Sequence, residues 1–315
     1  MSKTKGWMIA LLLVFLVPAV NAQKFSDWNA PMNLGPIVNS AVEDTDPFIT
    51  KDGLSLYFSS PRPGGYGGFD IWVSHRASVD NPWGPPQNLG PTVNSPFTES
   101  GPVVSIDGHR LYFTSNRPGG FGGNDLYVSR RQNKRDDFGW RAPENLGNTI
   151  NTPSNEAFAV PFEDDATGVI SLYFVSNRPG SLGDDDIYVS ALQPDETFGP
   201  AVLVEELSSY SPDRHPDIRR DGLELFLMSN RPGSIPNPLG APSFDIWVST
   251  RASTSDPWST PVNVGPVINT NRHDGHPALS FDGTSLYFFS AQRPGNVSSL
   301  FDIWVSTRTK IKDPD

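Results

Sequence analysis

The chain of 315 residues contains no cysteine. It therefore cannot form disulfide bonds, cannot carry the lipid-modified cysteine of a bacterial lipoprotein, and has no cysteine nucleophile. The serine-hydrolase elbow G-x-S-x-G and the zinc-protease motif H-E-x-x-H are also missing from the sequence. Hydrolases of these kinds are not indicated.

Helix signals are scarce as well. After residue 22 no stretch sustains an apolar period of 3.6 residues, and 31 prolines and 28 glycines punctuate the chain at regular intervals. This pattern predicts an all-β protein built from short strands and many turns.

The one long apolar run lies at the start of the chain. Lys3 and Lys5 precede it, and the small residues Val20 and Ala22 close it, which predicts a cleavable signal peptide over residues 1 to 22. We therefore expect a secreted or periplasmic protein that is not inserted in a membrane after cleavage. Removal of the two lysines takes the net charge from −11 to −13, which argues against nucleic acid as a partner.

A single phrase occurs five times, most completely as SNRPGGFGGNDLYVS at residues 115 to 129. The aspartates of its five copies are 55 to 61 residues apart, a period that suits a four-stranded propeller blade. An Asp-Gly pair before most copies predicts a tight turn between the first two strands of each blade. The Arg-Pro-Gly segment of the phrase is a loop, because proline cannot donate a hydrogen bond within a central strand.

The outer strand of each blade is predicted from a phrase such as WGPPQNLGPTVN, and a copy of it at residue 28 precedes the first blade. The last blade lacks its own copy, so we expect the segment 28 to 34 to complete it and close the ring. The prediction is an all-β, five-bladed propeller of four-stranded antiparallel blades, forming one domain over residues 23 to 315. The expected blades are residues 40–94, 95–151, 152–209, 210–269, and 270–311 together with 24–39.

The repeated phrase, with its Asp-Gly turn, resembles the WD40-like propeller repeat of bacterial envelope proteins, which is also seen in the TolB propeller. The resemblance covers the whole chain after the signal peptide. It implies a binding or scaffolding module more than an enzyme.

Each repeat carries an arginine and an aspartate on opposite sides of its glycine-rich loop. A guanidinium and a carboxylate in these places are expected to pair and pin the loop, which is a structural role. The predicted pairs are Arg62 with Asp70, Arg117 with Asp125, Arg178 with Asp186, Arg231 with Asp245, and Arg293 with Asp302.

The start of each first strand holds the candidate binding residues. An acid recurs there and predicts an acidic ring at one mouth of the central channel, for a cation or a cationic ligand; the alternative is that each acid only accepts hydrogen bonds from a crossover loop. The acids are Asp44, Glu99, Glu156, Asp213 and Asp274.

One position before the proline of the first strand the repeats differ, with Asp46, Gly101, Ala157, His215 and His276 in the five blades. Because the blades that contain Asp46, His215 and His276 are contiguous in a closed ring, these three side chains are a candidate divalent-metal site. No other cofactor is predicted.

The leading functional prediction is an exported, non-enzymatic propeller that binds a protein or an envelope glycan through its loops or its channel mouth. The alternative is a glycan-active hydrolase or lyase with carboxylates, and a metal where one binds, in the central channel.

Overall fold

The structure of the chain is a computed structural model that describes residues 23–311. The predicted signal peptide lies outside the described residues. Strands joined by turns and loops make up the described part, and no helix in it is long and apolar enough to cross a membrane.

Five antiparallel sheets of four strands each form the blades of a propeller, as predicted. Blade 1 contains β3 (Thr45–Ile49), β4 (Ser55–Ser60), β5 (Asp70–His75) and β6 (Gln87–Asn88). Blade 2 contains β7 (Glu99–Val104), β8 (Arg110–Ser115), β9 (Asp125–Arg130) and β10 (Glu144–Asn145). Blade 3 contains β11 (Glu156–Glu163), β12 (Ile170–Ser176), β13 (Asp186–Ala191) and β14 (Val202–Leu203). Blade 4 contains β15 (Asp213–Ile218), β16 (Glu224–Ser229), β17 (Asp245–Thr250) and β18 (Val262–Asn263).

Blade 5 closes the ring. Its strands β19 (Asp274–Leu279), β20 (Ser285–Ala291) and β21 (Phe301–Thr307) are completed by β2 (Met32–Asn33) from the start of the described chain. Met32 pairs with Val305 and Asn33 with Trp304, which confirms the predicted closure. A second contact between the chain ends was not predicted: β1 (Lys24–Phe25) pairs with β22 (Lys310–Ile311).

The apolar core lies between the blades. Leu56 and Phe58 of β4 are fully buried and pack with Tyr287 and Ile303 of blade 5. The opposite side of the same strand presents Tyr57 to blade 2. Because neighbouring blades cover both faces of each central strand, these strands are apolar on both sides instead of alternating with polar residues.

The first strand of each blade contacts the first strand of the next, so the five strands β3, β7, β11, β15 and β19 surround the central channel. Each carries a bulge at the same place, where the pairing register shifts. The bulged residue has a positive φ in every blade, and these residues are Asp46 (55°), Gly101 (60°), Phe158 (55°), His215 (51°) and His276 (48°).

The prediction for blade 3 was wrong by one residue. Phe158, and not Ala157, has the positive φ that Asp46 and the histidines share. In blade 3 the residue directly after it is Ala159 and not the proline of the other blades, so the sequence offered no fixed position from which to align this blade.

Candidate functional site in the central channel

The structure brings Asp46, His215 and His276 together. Nδ1 of His276 lies 2.8 Å from Oδ1 of Asp46, and the two imidazole ring centres are 4.1 Å apart. Each side chain offers one ligand atom, and these three atoms lie within 4.8 Å of one another. The cluster agrees with the expectation that a divalent metal is possible here.

The cluster is enclosed by its neighbours on the channel axis. The ring centre of Phe158 is 3.6 Å from that of His215 and 5.5 Å from that of His276. Gly101 makes room for this ring, because a Cβ atom at Gly101 would lie 2.8 Å from Phe158. As a result His215, His276 and Asp46 are each only 6 % exposed.

Burial shifts the pKa values of His215 and Asp46 in this cluster. Burial, together with the neighbouring His276 and Arg214, holds the pKa of His215 well below its ordinary value, which favours the neutral imidazole. Burial alone would raise the pKa of Asp46, but the charge and hydrogen bond of His276, with smaller contributions from Ser59 and Gly101, outweigh it and lower that pKa. Nδ1 of His215 is buried and has no hydrogen-bond partner among the described residues.

The five predicted channel-mouth acids occupy a different environment. All of them are fully buried. Four of them accept hydrogen bonds from the backbone and hydroxyl of a crossover-loop residue, whereas Asp213 accepts only from Arg231 and its Oδ2 has no partner among the described residues. Glu99 is representative: it accepts from the backbone and hydroxyl of Ser95, at 2.7 and 2.6 Å, and from the hydroxyl of Ser115 at 2.7 Å. In this structure a ligand in the channel does not reach Asp44, Glu99, Glu156, Asp213 or Asp274.

The predicted pairing of arginine with aspartate across each loop is wrong. Arg117 lies 3.0 Å from Glu99, and Arg178 lies 3.3 Å from Glu156. Arg62 pairs in the same way with Asp44, and Arg231 pairs with Asp213. All five arginines donate to a carbonyl oxygen of the crossover loop, which is that of Ile268 for Arg293. Within the described residues Arg293 differs in forming no ion pair with Asp274, in the one blade where Gln292 adds a positive-φ residue just before the arginine.

The five aspartates of the phrase instead bind the loop backbone. Asp70 accepts hydrogen bonds from the amides of Tyr66 and Gly67, at 2.6 and 3.2 Å, and from the side chain of Asn88 at 2.8 Å. Asp125, Asp186, Asp245 and Asp302 accept equivalent bonds from their own loops. The predicted structural role therefore fits these contacts, although the partners are backbone amides and not arginines.

A cavity of about 1110 Å³ occupies the other end of the channel, where the first strands end. Its apolar wall includes Phe48, Val103 and Val160, which follow the bulges of blades 1, 2 and 3 by two residues. Charged side chains from the hairpin turns surround its opening, among them Lys51, Lys134 and Arg220. Its volume is slightly above the range of about 300–1,000 Å³ typical of small-molecule sites.

Asp217 interrupts the apolar wall of this cavity. It occupies in blade 4 the position that is Phe48, Val103, Val160 or Ala278 in the other blades. Its Oδ2 accepts a 2.7 Å hydrogen bond from the backbone amide of Leu279. Burial raises the pKa of Asp217 to about 7, and the amide bonds only partly offset this effect.

Glu163, at the end of β11 in the neighbouring blade 3, supplies a second carboxyl group to the cavity. Within residues 23–311 this carboxylate has neither a hydrogen-bond partner nor an ion-pair partner, since Arg220 bonds only to the backbone carbonyl of Glu163. Asp137 also lines the cavity but is fully engaged: it accepts from Ser55 and His75, at 2.7 and 2.8 Å, and from Tyr57 and Arg131.

Sequence reasoning missed both Asp217 and Glu163. The signal for Asp217 is a carboxyl group at a position that is apolar in the other four blades, and it becomes visible only when the blades are aligned at the bulge. Glu163 has no such signal, because it lies where the long hairpin of blade 3 departs from the other repeats.

No family model matches the chain, and no curated protein matches it by sequence. Its fold, however, is similar to many solved structures. An α-L-arabinofuranosidase from Lactobacillus brevis is 17 % identical with a TM-score of 0.59, over 89 % of this chain and 93 % of that one. The catalytic domain of the GH62 α-L-arabinofuranosidase from Coprinopsis cinerea is 15 % identical with a TM-score of 0.57, over 90 % and 97 %. An α-L-arabinofuranosidase from Podospora anserina, solved in complex with cellotriose, is 13 % identical with a TM-score of 0.52, again over 90 % and 97 %.

These comparisons contradict the prediction of a non-enzymatic binding or scaffolding module, because the three propellers named above, which the chain matches along almost their whole length, are α-L-arabinofuranosidases. The resemblance to WD40-like envelope repeats predicted a propeller correctly. The similar structures do not support the rest of that resemblance, namely the WD40-like type and the envelope location. A glycan partner is in line with these structures, and a protein partner gains no support from them. At these identities the likeness shows the fold alone: the chain is a five-bladed β-propeller similar in structure to glycoside hydrolases.

Proposed function

We propose that this protein is a glycan-active hydrolase whose substrate binds in the channel cavity, with Asp217 and Glu163 as its catalytic carboxyl groups. The observation that carries the proposal is the cavity itself, into which two neighbouring blades each bring a carboxyl group that the repeat does not require. Glycosidic bonds are commonly cleaved by such a pair, in which one group protonates the leaving oxygen and the other acts on water or on the sugar.

The surroundings of the two groups suggest their roles. Asp217 lies in an apolar wall where its neighbours in the described structure are backbone amides and no cationic side chain bonds to it, the kind of environment in which a carboxyl group serves as general acid. Glu163 has both oxygens free of protein partners in the described structure, so it has lone pairs with which to orient a water molecule or attack the sugar. Asp137 is a poorer candidate, because four donors already occupy its oxygens.

The similar structures suggest a substrate class. The neighbours include arabinofuranosidases and a xylan β-1,4-xylosidase from Bacillus halodurans, the latter with a TM-score of 0.56 at 12 % identity. We therefore propose pentose-containing glycans as the first substrates to test. The apolar side chains Phe48 and Phe281 at the cavity wall are suited to pack against the carbon face of a sugar ring.

The test is hydrolysis of 4-nitrophenyl α-L-arabinofuranoside, 4-nitrophenyl β-D-xyloside and xylo-oligosaccharides by the purified chain, with Asp217→Asn and Glu163→Gln as variants. Each substitution should lower kcat by about 10²- to 10⁴-fold. If Asp217 is the acid, Asp217→Asn should lose far less activity on a dinitrophenyl glycoside, whose leaving group needs no proton. Asp282→Asn is the control, because Asp282 lies in a hairpin turn outside the cavity, where asparagine is also favoured. Undiminished turnover in both variants, or no turnover on the panel by the wild type, would overturn the proposal.

A further inference from the structure

The buried cluster at the other end of the channel holds an unused ligand atom. Nδ1 of His215 is buried and has no protein partner among the described residues, and a ring nitrogen of this histidine lies within 4.8 Å of ligand atoms of Asp46 and His276. Leaving a buried polar atom without a hydrogen bond destabilises the folded state. Its persistence beside a carboxylate and a second imidazole therefore needs a reason, and a bound cation supplies one.

We propose that Asp46, His215 and His276 bind one divalent transition-metal ion, with zinc as the reference ion, and that this ion joins blades 1, 4 and 5 at the channel axis. The inference goes beyond the proposed hydrolase activity, which is placed at the other end of the channel and uses none of these side chains.

The donor set decides the class of ion. Two imidazole nitrogens and one carboxylate oxygen suit Zn²⁺, Fe²⁺, Mn²⁺ or Co²⁺, whereas Ca²⁺ and Mg²⁺ prefer a shell of oxygen atoms. Three protein ligands leave at least one coordination position for water. Calcium should therefore compete poorly for this site.

The geometry is close to what coordination requires. Ligand bonds of about 2.1 Å place neighbouring donor atoms roughly 3.0–3.4 Å apart. Nδ1 of His276 and Oδ1 of Asp46 are already 2.8 Å apart, and all three donor atoms lie within 4.8 Å of one another. Small side-chain rotations are sufficient to complete the site.

The surroundings hold the ligands in place. Oδ2 of Asp46 accepts a 3.2 Å hydrogen bond from the backbone amide of Gly101, which orients the carboxylate while leaving Oδ1 toward the histidines. Phe158 covers His215 and limits the access of water. Outer contacts of this kind commonly tune metal affinity by 10- to 100-fold.

The ligands come from three separate blades, so metal binding should stabilise the ring. An ion present at a hundredfold excess over its Kd should raise the melting temperature by about 5 °C for a domain of this size. This readout is independent of any enzymatic activity, so it separates the failure of this proposal from the failure of the proposed hydrolase.

The experiment uses the full chain, with any affinity tag removed, after treatment with EDTA and gel filtration. Titration with Zn²⁺ should load one ion per chain by plasma mass spectrometry and raise the melting temperature, and Ca²⁺ at the same concentration should do neither. Co²⁺ should give visible absorption bands that Zn²⁺ then displaces. Asp46→Asn, which keeps the shape and hydrogen-bonding capacity of the side chain, and His215→Gln should each weaken Zn²⁺ binding more than tenfold.

His273→Gln is the matched control. His273 is close in sequence to His276 but is exposed, and it contacts Phe244 instead of the cluster. It should bind Zn²⁺ as the wild type does. The proposal is overturned if the wild type retains only trace metal with no thermal shift, or if Asp46→Asn and His273→Gln bind equally well. Should His215→Gln fail to fold, the Asp46→Asn comparison still decides the matter.

Discussion

A buried asparagine reinforces the closure of the ring. The side-chain amide of Asn39 donates to the carbonyl oxygen of Ile303 at 3.0 Å, and its oxygen accepts from the backbone amide of Ile303 at 2.8 Å. The same amide also donates to Asn33 at 2.9 Å. These bonds join the two ends of the described chain across 264 residues.

Asn39→Ala should destabilise the fold by about 3 kcal/mol. The substitution leaves the buried amide of Ile303 without a partner and removes two further hydrogen bonds, and an orphaned buried group costs about 1–3 kcal/mol. For a domain of this size the melting temperature should fall by roughly 5 to 10 °C. Urea unfolding followed by tryptophan fluorescence measures the change, with the m-value as a check that the unfolding transition is otherwise unchanged.

Asn94 supplies the matched comparison. It makes the same pair of bonds to Ile71, at 2.9 and 3.0 Å, but within one continuous blade. If the chain ends close the ring, Asn39→Ala and Asn94→Ala should cost about the same. If Asn94→Ala were costly while Asn39→Ala had almost no effect, the N-terminal segment would not be part of blade 5 and the closure argument would be refuted.

Three further predictions concern single contacts. In a double-mutant cycle Arg117 should couple to Glu99 by about 1–3 kcal/mol and to Asp125 by almost nothing, because only the first pair is in contact; equal coupling would restore the pairing expected from the sequence. Gly122→Ala should cost more than 2 kcal/mol by thermal unfolding, because a Cβ there would lie 1.7 Å from the backbone oxygen of Ser154. Gly199→Ala should be nearly neutral, because its one close contact, at 2.9 Å, is with the end of the flexible Gln193 side chain. Burial alone would raise the pKa of Asp137, but hydrogen bonds from Tyr57, Ser55, Arg131 and His75 outweigh it and hold that pKa below 3.8. Its stabilising effect is therefore complete above pH 3.8 and is lost as the pH falls through the lower folded-state pKa, so the stability gap between the wild type and Asp137→Asn should narrow in acid and should not widen.

The fold was accessible from the sequence because its determinants are local and repeated. Each Asp-Gly turn, each Arg-Pro-Gly loop and each strand after it is encoded within about fifteen residues, and five copies reinforce the same interpretation. Ring closure could be predicted because the chain has an extra copy of the outer-strand phrase ahead of its first blade, at residue 28, and its last blade has no such copy. The contact between β1 and β22 was missed because two-residue strands leave no apolar pattern to detect.

The contacts within the site were less accessible, because they join residues that are distant in sequence and similar in kind. Arg117 has Asp125 nearby in the chain, yet it reaches back to Glu99 at the start of the blade. Proximity in the sequence favoured Asp125, which is the wrong partner. Only the path of the backbone in the folded blade shows that Glu99 is the acid within reach of Arg117. Asp217 was overlooked for a related reason. Candidate residues were sought at positions that the repeated phrases define, and Asp217 lies outside those phrases, at a position that is apolar in the other blades.

The bulge position shows why disagreement between repeats is not by itself evidence of function. Five large or charged side chains do not fit on this axis: a Cβ at Gly101 would already touch Phe158, and five carboxylates at this spacing would repel one another strongly in a buried site. Packing alone therefore gives a reason for the repeats to differ here, whatever the protein does. What distinguishes Asp46, His215 and His276 is a narrower fact, namely that packing and hydrogen bonding satisfy Phe158 and Gly101 but leave a buried nitrogen of His215 without a partner. The case for chemistry at the axis depends on that atom and not on the variation around it.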